Sequence, residues 1–360
     1  MRTSPVILAL LSFFPGASLL GQTATEDSVG LKDYYQEYFN MGVSVSPQSL
    51  SGSERNLILE HFNSLTAENV MKMGPIHPHE DRYSWEGADA IVDFAQTNHL
   101  KVRGHTLCWH QQTPKWMFVD ANGDTVSKDV LLNRLEEHIT AVVTRYKGRV
   151  YAWDVVNEAV ADGDGPMLRS SPWFKICGKE FIVKAFEYAH KADPQAKLFY
   201  NDYNAAQPGK CERIYNLVKE LKDNNVPIHG IGLQGHWSIT IPTENELRDA
   251  LDKYALLGLE LQITELDITI YPKESGRRAK RSDENDTFTP ELEEKQVNQY
   301  SKIFEILRDH RDHITGVTFW NVSDRHSWLD NFPVRGRKNY PLLFDQQLNP
   351  KKAYWEVVKF

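Results

Sequence analysis

Two carboxylates draw attention in this chain because each follows an apolar run typical of a buried strand. Glu158 lies in the segment WDVVNEAV, and Glu265 lies in LQITELDI. A buried carboxylate is costly unless it is paired or functional. Hydrolysis of a glycosidic bond needs one carboxyl group that protonates the leaving oxygen and a second that attacks the sugar carbon. We therefore predict Glu158 as the general acid/base and Glu265 as the nucleophile. The competing interpretations are a structural salt bridge and a charge at a helix N-terminus, respectively.

Three further polar residues have the spacing to support this pair. Gln234 and His236 follow an apolar run and share strand parity, as do Glu265 and Asp267. Gln234 could hold one carboxyl group through its amide. His236 could hydrogen-bond the other and be oriented in turn by Asp267. The alternative for His236 taken alone is a satisfied core histidine.

The segment HTLCWH invites a different interpretation, a zinc site formed by His105, Cys108 and His110. Alternation along a strand places His105 and His110 on opposite faces. Hydrolysis by two carboxylates also needs no metal. We therefore predict neither a metal nor another cofactor, and we interpret Cys108 as a small buried apolar residue.

Aromatic and charged segments flank the last two strand-like runs. Trp320 ends the final run and Trp328 lies in the loop after it; both could stack on sugar rings, although a single Trp is more often a core residue. Lys273–Arg281 is basic and Ser282–Asp286 is acidic. A solvated loop is the simplest interpretation. A basic rim of Arg277, Arg278 and Arg281 that favours acid-decorated polysaccharide is the sharper hypothesis.

The elements that must position these residues alternate regularly. Strand-like runs occur at Met41–Ser44, Asn63–Thr66, Lys101–Leu107, Val150–Val155, Lys197–Tyr200, Ile228–Leu233, Leu259–Thr264 and Gly316–Trp320. Amphipathic stretches lie between them at Gly87–Asn98, Leu131–Tyr146, Lys179–Ala192, Glu212–Asn224, Glu244–Leu256 and Pro290–His310. Eight such units predict a single-domain α/β fold, the closed (β/α)8 TIM barrel, whose active site lies at the carboxyl ends of the strands. A doubly wound open sheet is the weaker alternative, because no glycine-rich phosphate loop opens any helix.

Composition and the amino terminus restrict partners and location. The formal net charge of −8 argues against a nucleic-acid partner. Arg2, the short apolar run Val6–Phe14 and the small residues after it predict a signal peptide over residues 1–21, with the barrel over 22–360. The protein would then be secreted or periplasmic; a membrane anchor is the alternative, although the run is short for one. One disulfide is possible among the three cysteines, and the pairing stays open.

Seven motifs together resemble those of the glycoside hydrolase family 10 xylanases. They are FNSLTAENVMKM, RGHTLCWHQQTPKW, WDVVNEAV, FYNDYN, IGLQGHW, LQITELDI and TFWNVSDRHSWL. The match runs from about Tyr34 to Phe360. The resemblance implies a (β/α)8 barrel that hydrolyses internal β-1,4 bonds of xylan with retention of configuration, with xylan and xylo-oligosaccharides as partners. Independently of the resemblance, we expect a monomer that contacts neither nucleic acid, given the acidic net charge, nor, once the signal peptide is cut, a membrane.

The resemblance also assigns roles residue by residue. It places the acid/base on Glu158 and the nucleophile on Glu265. Contacts on the glycone side fall on Glu68, Asn69 and Lys72. Positions around the sugar next to the cleaved bond fall on His105, Trp109 and Gln112. Asn157 matches the residue that bonds the sugar 2-hydroxyl, and Tyr203 matches an aglycone-side contact. The pair that orients the carboxyl groups falls on Gln234 and His236, and the aromatic lid falls on Trp320 and Trp328.

The chain departs from the family at Val70 and Met73, where ENVMKM replaces the usual ENEMKW. Met73 in place of an aromatic residue affects the expected packing beneath the distal glycone sites, but not the chemistry. Two rival functions remain. One is a retaining β-glycanase that acts on cellulose or aryl glycosides. The other is a non-catalytic polysaccharide-binding barrel, which would be expected to have lost a carboxylate.

Overall fold

The computed structural model describes Met1, residues 29–272, Glu274 and residues 276–360. Apart from Met1, the predicted signal peptide lies outside this described part. In the described part, no helix is both long enough and apolar enough to cross a membrane. Cys108, Cys177 and Cys211 are all buried there, and each is a free thiol. The prediction that Cys108 is a buried apolar residue is therefore confirmed.

A closed barrel of parallel strands forms the centre of the fold. The eight barrel strands are β1 (Asn40–Val45), β2 (Ser64–Ala67), β3 (Lys101–Trp109), β4 (Ala152–Asn157), β5 (Lys197–Asp202), β6 (Gly230–Leu233), β7 (Glu260–Thr269) and β8 (Ile314–Phe319). Each strand pairs with the next in parallel register, and β8 pairs with both β7 and β1. This closure confirms the predicted barrel and rules out the open doubly wound sheet.

Within the residues that the structure describes, eight helices follow the strands in turn and cover the barrel. They are α1 (Gly52–His61), α2 (Glu86–Thr97), α3 (Lys128–Arg145), α4 (Glu180–Ala192), α5 (Pro208–Asp223), α6 (Glu244–Ala255), α7 (Pro290–Asp309) and α8 (Lys352–Val357). The six predicted helices are confirmed with small differences in their bounds. In α4 the buried residues recur at helical spacing, so one apolar stripe faces the barrel: Phe181, Ile182, Ala185, Phe186 and Ala189.

Shorter helices, turns and strands lie in the segments that connect the barrel strands and the covering helices. Short α-helices lie at Leu31–Tyr34, Met73–Ile76 and Pro172–Cys177, and 3-10 turns lie at Pro47–Leu50, Lys115–Met117, Asp324–His326 and Trp328–Asp330. A three-residue strand, His236–Ser238, pairs with β7. A separate two-stranded ladder joins Arg278–Ala279 to Val334–Arg335. Apart from Leu31–Tyr34, which precedes β1, these additions follow barrel strands and so lie toward the carboxyl ends of the strands, where the site lies.

Paired charges fill part of the barrel interior beneath the site. The guanidinium of Arg103 on β3 donates to the carboxylate of Asp154 on β4, and its Nε donates to Gln262 on β7 at 2.9 Å. All three side chains are buried. A buried charge is tolerated when its hydrogen bonds are satisfied, as they are here. This cluster ties three strands together directly below the residues that carry chemistry.

The two ends of the described barrel meet at the opposite face. The hydroxyl of Tyr35, which precedes β1, donates to the carbonyl of Val357 at 2.5 Å. The ring of Tyr35 also lies 5.1 Å from that of Phe360, centroid to centroid. Because β1 starts just after Tyr35 and α8 ends at Val357, this contact lies at the amino-terminal end of the strands.

Candidate active site

Glu158 is placed by a left-handed turn directly after β4. Its φ is +58°, a conformation that non-glycine residues adopt rarely and that concentrates at functional sites. The turn is held on both sides. The amide of Glu158 donates to the carbonyl of Asn201 at 2.9 Å, and its carbonyl accepts from Nε of Arg169 at 3.0 Å. The carboxyl group is thereby fixed at the mouth of the barrel.

The carboxylate of Glu158 accepts hydrogen bonds from neutral donors. Gln234 donates to its Oε1 at 3.0 Å, and the indole of Trp109 donates to its Oε2 at 2.8 Å. The first of these is the contact that strand parity predicted for Gln234. The imidazole of His110 lies farther away, with Nδ1 at 3.9 Å from Oε2. Glu158 itself is 7% exposed, which leaves little room for bulk water.

His110 corrects one prediction. Alternation placed it opposite to His105, yet both lie at the active centre: His110 beside Glu158, and His105 close enough to Glu265 to influence its charge. The physical reason is that β3 does not alternate regularly. Its register with β4 shifts between His105 and Cys108, and the strand ends at Trp109.

Glu265 on β7 is surrounded differently, since one of its donors is cationic. Nε2 of His236 lies 3.1 Å from Oε2 of Glu265, and Nδ1 of the same ring lies 3.0 Å from Oδ2 of Asp267. The indole of Trp328 also donates to Oδ2 of Asp267, at 2.8 Å. The predicted sequence of contacts from Glu265 through His236 to Asp267 is therefore present.

Opposite charges shift the pKa values of both partners of the Glu265–His236 pair. Burial alone would lower the pKa of His236, but Asp267 and Glu265 outweigh it and raise that pKa to about 10. Burial alone would raise the pKa of Glu265, but His105, His236 and Lys72 outweigh it and lower that pKa to about 2. The carboxylate of Glu265 is consequently ionised at neutral pH, as a nucleophile must be.

Asn201, at the end of β5, was not predicted as a site residue. Its Nδ2 donates to Oε1 of Glu265 at 2.8 Å, and its amide lies 2.9 Å from that of Asn157. The hydroxyl of Thr264 donates to Oδ1 of Asn201 at 2.6 Å, which turns the NH2 group toward Glu265. Gln234 completes the chain, since its amide lies 3.3 Å from that of Asn157. Side-chain amides thus connect the surroundings of the two carboxylates.

The position of Asn201 at a strand end, in FYNDYN, was the available signal. It did not reveal which carboxylate the side chain would meet, because that depends on the shear between β5 and β7. Asp154 was missed for a related reason. It is buried on β4 and accepts from Nδ1 of His105 at 2.9 Å, so it fixes the ring of a predicted site residue.

Lys72 lies between aromatic rings near both carboxylates. Its Nζ is 5.2 Å from the ring centroid of Trp109 and 5.8 Å from that of Trp320. Burial lowers the pKa of Lys72, while Glu265, Glu68 and Glu158 counteract that effect. Nζ also donates to Oδ1 of Asn69 at 3.1 Å. The cation therefore offers N–H groups to a ligand in the cleft.

Glu68 follows β2 and lies near Lys72, and burial raises the pKa of its carboxyl group. Asn69 is exposed beside it. Gln112 is also exposed and has a φ of +48°; its carbonyl accepts from the amide of Gly74 at 2.6 Å. The side chain of Gln112 makes no hydrogen bond to Glu158 or Glu265 within the described residues.

Two tryptophans and a phenylalanine continue from the catalytic face along the cleft. Trp320 is buried against His105, with ring centroids 5.4 Å apart. Trp328 lies 4.9 Å from His236 and stacks on Phe332 at 4.9 Å with an interplanar angle of 20°. Phe332 was not predicted. Part of Trp328 remains accessible, so its ring can contact a ligand.

Tyr203, after β5, is held by a cluster of charges. Arg169 donates to its hydroxyl at 2.7 Å, and that hydroxyl donates to Asp162. Nζ of Lys210 lies 4.4 Å from the ring centroid of Tyr203, and 3.2 Å from a carboxylate oxygen of Asp202. Arg169 also contacts the backbone of Glu158, so Tyr203 and Glu158 are connected through one guanidinium.

In the charged loop after β7, acidic side chains of the loop neutralise most of its arginines. Arg278 pairs with Glu274 and Glu284, and Arg281 pairs with Glu284 at 3.3 Å. Arg277 is different: it is exposed, and its guanidinium lies 5.1 Å from the ring centroid of Phe332. Among the described residues it has no carboxylate partner. The three-arginine rim that was hypothesised is therefore reduced to one available cation.

Within the described ranges, no group of three or more His, Cys, Asp or Glu side chains is arranged to hold a metal ion. In HTLCWH, Nδ1 of His105 is engaged by Asp154, and Cys108 is buried. The side chains that converge on the mouth of the barrel are those of acid–base chemistry.

Comparison with known proteins gives a consistent result. The model of the family described as Glycosyl hydrolase family 10 matches residues 30–360. A β-1,4-xylanase of Dictyoglomus thermophilum is 50% identical over 99% of this chain and 97% of its own length. An endo-1,4-β-xylanase of Geobacillus stearothermophilus is 50% identical over 91% of this chain and 97% of its own length.

Among solved structures, xylanase XynB from Paenibacillus barcinonensis, in complex with a conduramine derivative, superimposes with a TM-score of 0.89. It is 48% identical in sequence and covers 93% of this chain and 99% of its own. The similarity therefore extends over nearly the whole barrel and includes both strand ends that carry the carboxylates.

Proposed function

The chain belongs to glycosyl hydrolase family 10, and we propose from this premise that it is an endo-1,4-β-xylanase with a retaining mechanism. In this proposal Glu158 is the general acid/base and Glu265 is the nucleophile. The substrate is xylan, bound across the mouth of the barrel with the bond to be cleaved between the two carboxyl groups.

The observation that carries the proposal is the contrast between the two carboxylates. Glu265 receives a charged hydrogen bond from His236 and an amide hydrogen bond from Asn201. Glu158 receives hydrogen bonds from a neutral amide and a neutral indole. Charged donors stabilise a carboxylate more strongly than neutral donors do. The cationic donor therefore favours Glu265 as the carboxylate that stays ionised, the state in which a nucleophile attacks.

In the first step, Glu158 transfers its proton to the glycosidic oxygen while Glu265 attacks the anomeric carbon. The carbon–oxygen bond breaks, the aglycone leaves as an alcohol, and a covalent glycosyl–enzyme ester forms. In the second step, Glu158, now a carboxylate, takes a proton from water as that water attacks the anomeric carbon. The ester bond breaks and Glu265 is regenerated. Two inversions give net retention, for which the carboxyl groups should lie ~5–5.5 Å apart.

The surrounding side chains would bind the sugars. Glu68, Asn69 and Lys72 offer charged and amide groups for hydroxyls on the glycone side. Trp320 and Trp328 offer apolar faces for sugar rings, which present C–H groups on their flat sides. Asn157 would meet the 2-hydroxyl of the sugar at the cleaved bond. His105, Trp109 and Gln112 would surround that same sugar, and Tyr203 would contact the aglycone side.

Product analysis tests the activity directly. Purified protein should release short xylo-oligosaccharides from glucuronoxylan and arabinoxylan, with little release from carboxymethylcellulose. The Glu265→Ala variant should lose nearly all turnover while it keeps the same circular dichroism spectrum and melting temperature. A folded wild-type protein that releases nothing from xylan would contradict the proposal.

The stereochemistry has a separate test. Proton NMR at early times should detect the β-anomer of the newly formed reducing end before mutarotation produces the α-anomer. Initial appearance of the α-anomer would mean inversion, and the nucleophilic role of Glu265 would be wrong.

We also propose that the protein is exported and acts as a monomer. The sequence pattern of residues 1–21 supports export, and a monomer is what we expect of a single-domain barrel. Mass spectrometry of protein from the culture fluid, the periplasm and the cytosol would locate it and reveal the cleavage site. Size-exclusion chromatography with light scattering would give the mass. Retention of the intact leader in the cytosol would contradict export, and a mass of about twice that of one chain would contradict the monomer.

A further inference from the structure

We infer that the acid/base Glu158 is positioned through the backbone, by a closed cycle of hydrogen bonds that holds both peptide groups of Val160. Three buried side chains form the cycle: Tyr200 and Asp202, at the end of β5, and Lys210, in the first turn of α5. This inference rests on the proposed function, because the cycle matters for turnover only if Glu158 transfers protons. Within the described residues, none of the three side chains bonds to the carboxylate of Glu158, so they are positioning residues.

The cycle reaches Val160 from both of its backbone polar groups. The amide of Val160 donates to the hydroxyl of Tyr200 at 2.9 Å, and that hydroxyl donates to Oδ2 of Asp202. The carbonyl of Val160 accepts from Nζ of Lys210 at 2.8 Å, and the same Nζ lies 3.2 Å from Oδ1 of Asp202. Neither of the two peptide groups can turn without the loss of a buried hydrogen bond, which is costly.

The location of Lys210 does not favour the helix that contains it. A cation in the first turn of a helix lies at the positive end of the helix dipole, and a buried ammonium group is costly without partners. Asp202 and the carbonyl of Val160 compensate both effects, and Asp162 adds a carboxylate oxygen at 3.2 Å. All of these partners lie on β5 or in the loop after β4. The lysine therefore serves the contact between α5 and that loop.

The cycle lies next to the strained backbone of the acid/base. Only Ala159 separates Val160 from Glu158, whose φ is +58°. A left-handed non-glycine residue persists only where its surroundings hold it. If Val160 were released, the backbone at Glu158 could relax and carry its carboxyl group out of line. Glu265 would stay in place, because it belongs to β7 on a different side of the barrel.

The same residues also contact Tyr203, so two effects must be distinguished. The amide of Tyr203 donates to Oδ1 of Asp202 at 2.9 Å, and Nζ of Lys210 lies 4.4 Å from the centroid of its ring. Damage to Tyr203 would weaken binding on the aglycone side for every leaving group. Damage to the position of Glu158 would affect only the steps that need a proton transfer.

Aryl β-xylobiosides with different leaving groups separate these two effects. A dinitrophenolate leaves without a proton, whereas phenol needs one from Glu158. The variants are Tyr200→Phe, which removes the acceptor for the amide of Val160, and Lys210→Met, which removes the donor to its carbonyl. Burial raises the pKa of Asp202 to about 7 against the opposing effect of Lys210. In Lys210→Met we therefore expect Asp202 to take up a proton rather than remain as an unpaired buried charge.

The matched controls are Tyr35→Phe and Lys351→Met. The hydroxyl of Tyr35 donates to the carbonyl of Val357 at the opposite face of the barrel. Nζ of Lys351 pairs with the buried Asp324 at 3.0 Å, in a contact that does not involve the loop after β4. Each control removes the same chemical group from a comparable buried contact, so any effect on stability alone should appear in the controls as well.

Both test variants should lower kcat/KM about tenfold on phenyl β-xylobioside and less than about twofold on dinitrophenyl β-xylobioside. On the dinitrophenyl substrate, kcat and KM should fall together, because a misplaced base slows the attack of water and the glycosyl–enzyme accumulates. The controls should change kcat/KM on the two substrates by the same factor. Each comparison is a ratio within one preparation, so an unfolded fraction does not alter it.

An equal loss on both substrates in the test variants, or no loss on either, would overturn the inference and leave the proposed function intact. If folded wild-type protein releases neither phenol nor dinitrophenol, the proposed function itself fails, and the inference fails with it.

Discussion

His236 and Glu265 form a charged pair inside the barrel mouth, with Nε2 and Oε2 3.1 Å apart. Each partner contributes to the pKa shift of the other: the pKa of His236 rises to about 10, and that of Glu265 falls to about 2. The second nitrogen of His236 is engaged by Asp267. The ring therefore donates to two carboxylates at once, and only its protonated form can do so.

His236→Asn should raise the pKa of Glu265, because the buried carboxylate loses its charged donor. We expect kcat/KM at pH 6 to fall at least tenfold and the acidic limb of the pH–rate profile to move to higher pH. His99→Asn is a suitable control, since His99 is exposed in a turn with a φ of +57°. An acidic limb that stays in place would show that His236 does not set the ionisation of Glu265.

Asn201→Ala should act on the chemical step rather than on binding. It removes a hydrogen bond of 2.8 Å to the charged Glu265, which is worth roughly 1.5–3 kcal/mol, so kcat should fall about 10- to 100-fold. KM should change little. Thr264→Val, which frees the Asn201 amide to rotate, should give a smaller loss of kcat, and Thr264→Ser should restore it. A change confined to KM would contradict this role for Asn201.

Buried neutral histidines should make the fold sensitive to acid. Burial lowers the pKa of His138 to about 3, and its Nδ1 lies 3.1 Å from Nδ1 of His77, a contact that needs one donor and one acceptor. Below pH 6.5 the unfolded chain binds the proton and the folded chain does not, so stability falls as the pH falls until it reaches the folded pKa.

The slope is roughly 1.4 kcal/mol per pH unit for one such group. Between pH 7 and pH 4.5 the wild type should therefore lose roughly 2–3 kcal/mol more unfolding free energy than His138→Gln, which cannot titrate. Urea denaturation at several pH values measures this difference. Parallel pH curves for the two proteins would mean that His138 does not contribute.

Arg277→Ala should reduce kcat/KM on glucuronoxylan but not on arabinoxylan. Arg277 is exposed and has no carboxylate partner among the described residues, and it lies over Phe332 next to Trp328. An exposed ion pair is weak, so the expected loss is about two- to fivefold, and added salt should diminish it.

Arg281→Ala is the matched control, because Arg281 already pairs with Glu284 at 3.3 Å. Equal losses on both polymers, or an equal effect of the two substitutions, would remove any preference of this loop for acidic decoration.

The sequence predicted well what depends on periodicity. Eight apolar runs predicted the barrel, and two-residue spacing predicted that Glu265 and Asp267 would share the face that His236 meets. Regular alternation is a property of extended backbone, so these predictions needed no knowledge of distant residues. The same rule failed for His110, because the register of β3 shifts within the strand.

What could not be predicted depends on contacts between strands or across loops. The contact between Asn201 and Glu265 depends on the shear of the barrel. The conformation of the loop after β7 places Arg278 and Arg281, but not Arg277, next to carboxylates. The left-handed turn at Glu158 contains no glycine, so no residue in the sequence indicates it.

The contact of Tyr35 with Val357 and Phe360 has a practical consequence. It brings the beginning and the end of the barrel together on the side away from the cleft. A tether, a fused module or a solid support joined at Phe360 would hold the protein with its cleft directed outward. The same proximity allows the two ends to be joined by a short linker and the chain to be reopened in an exposed loop, with every barrel strand still in its place.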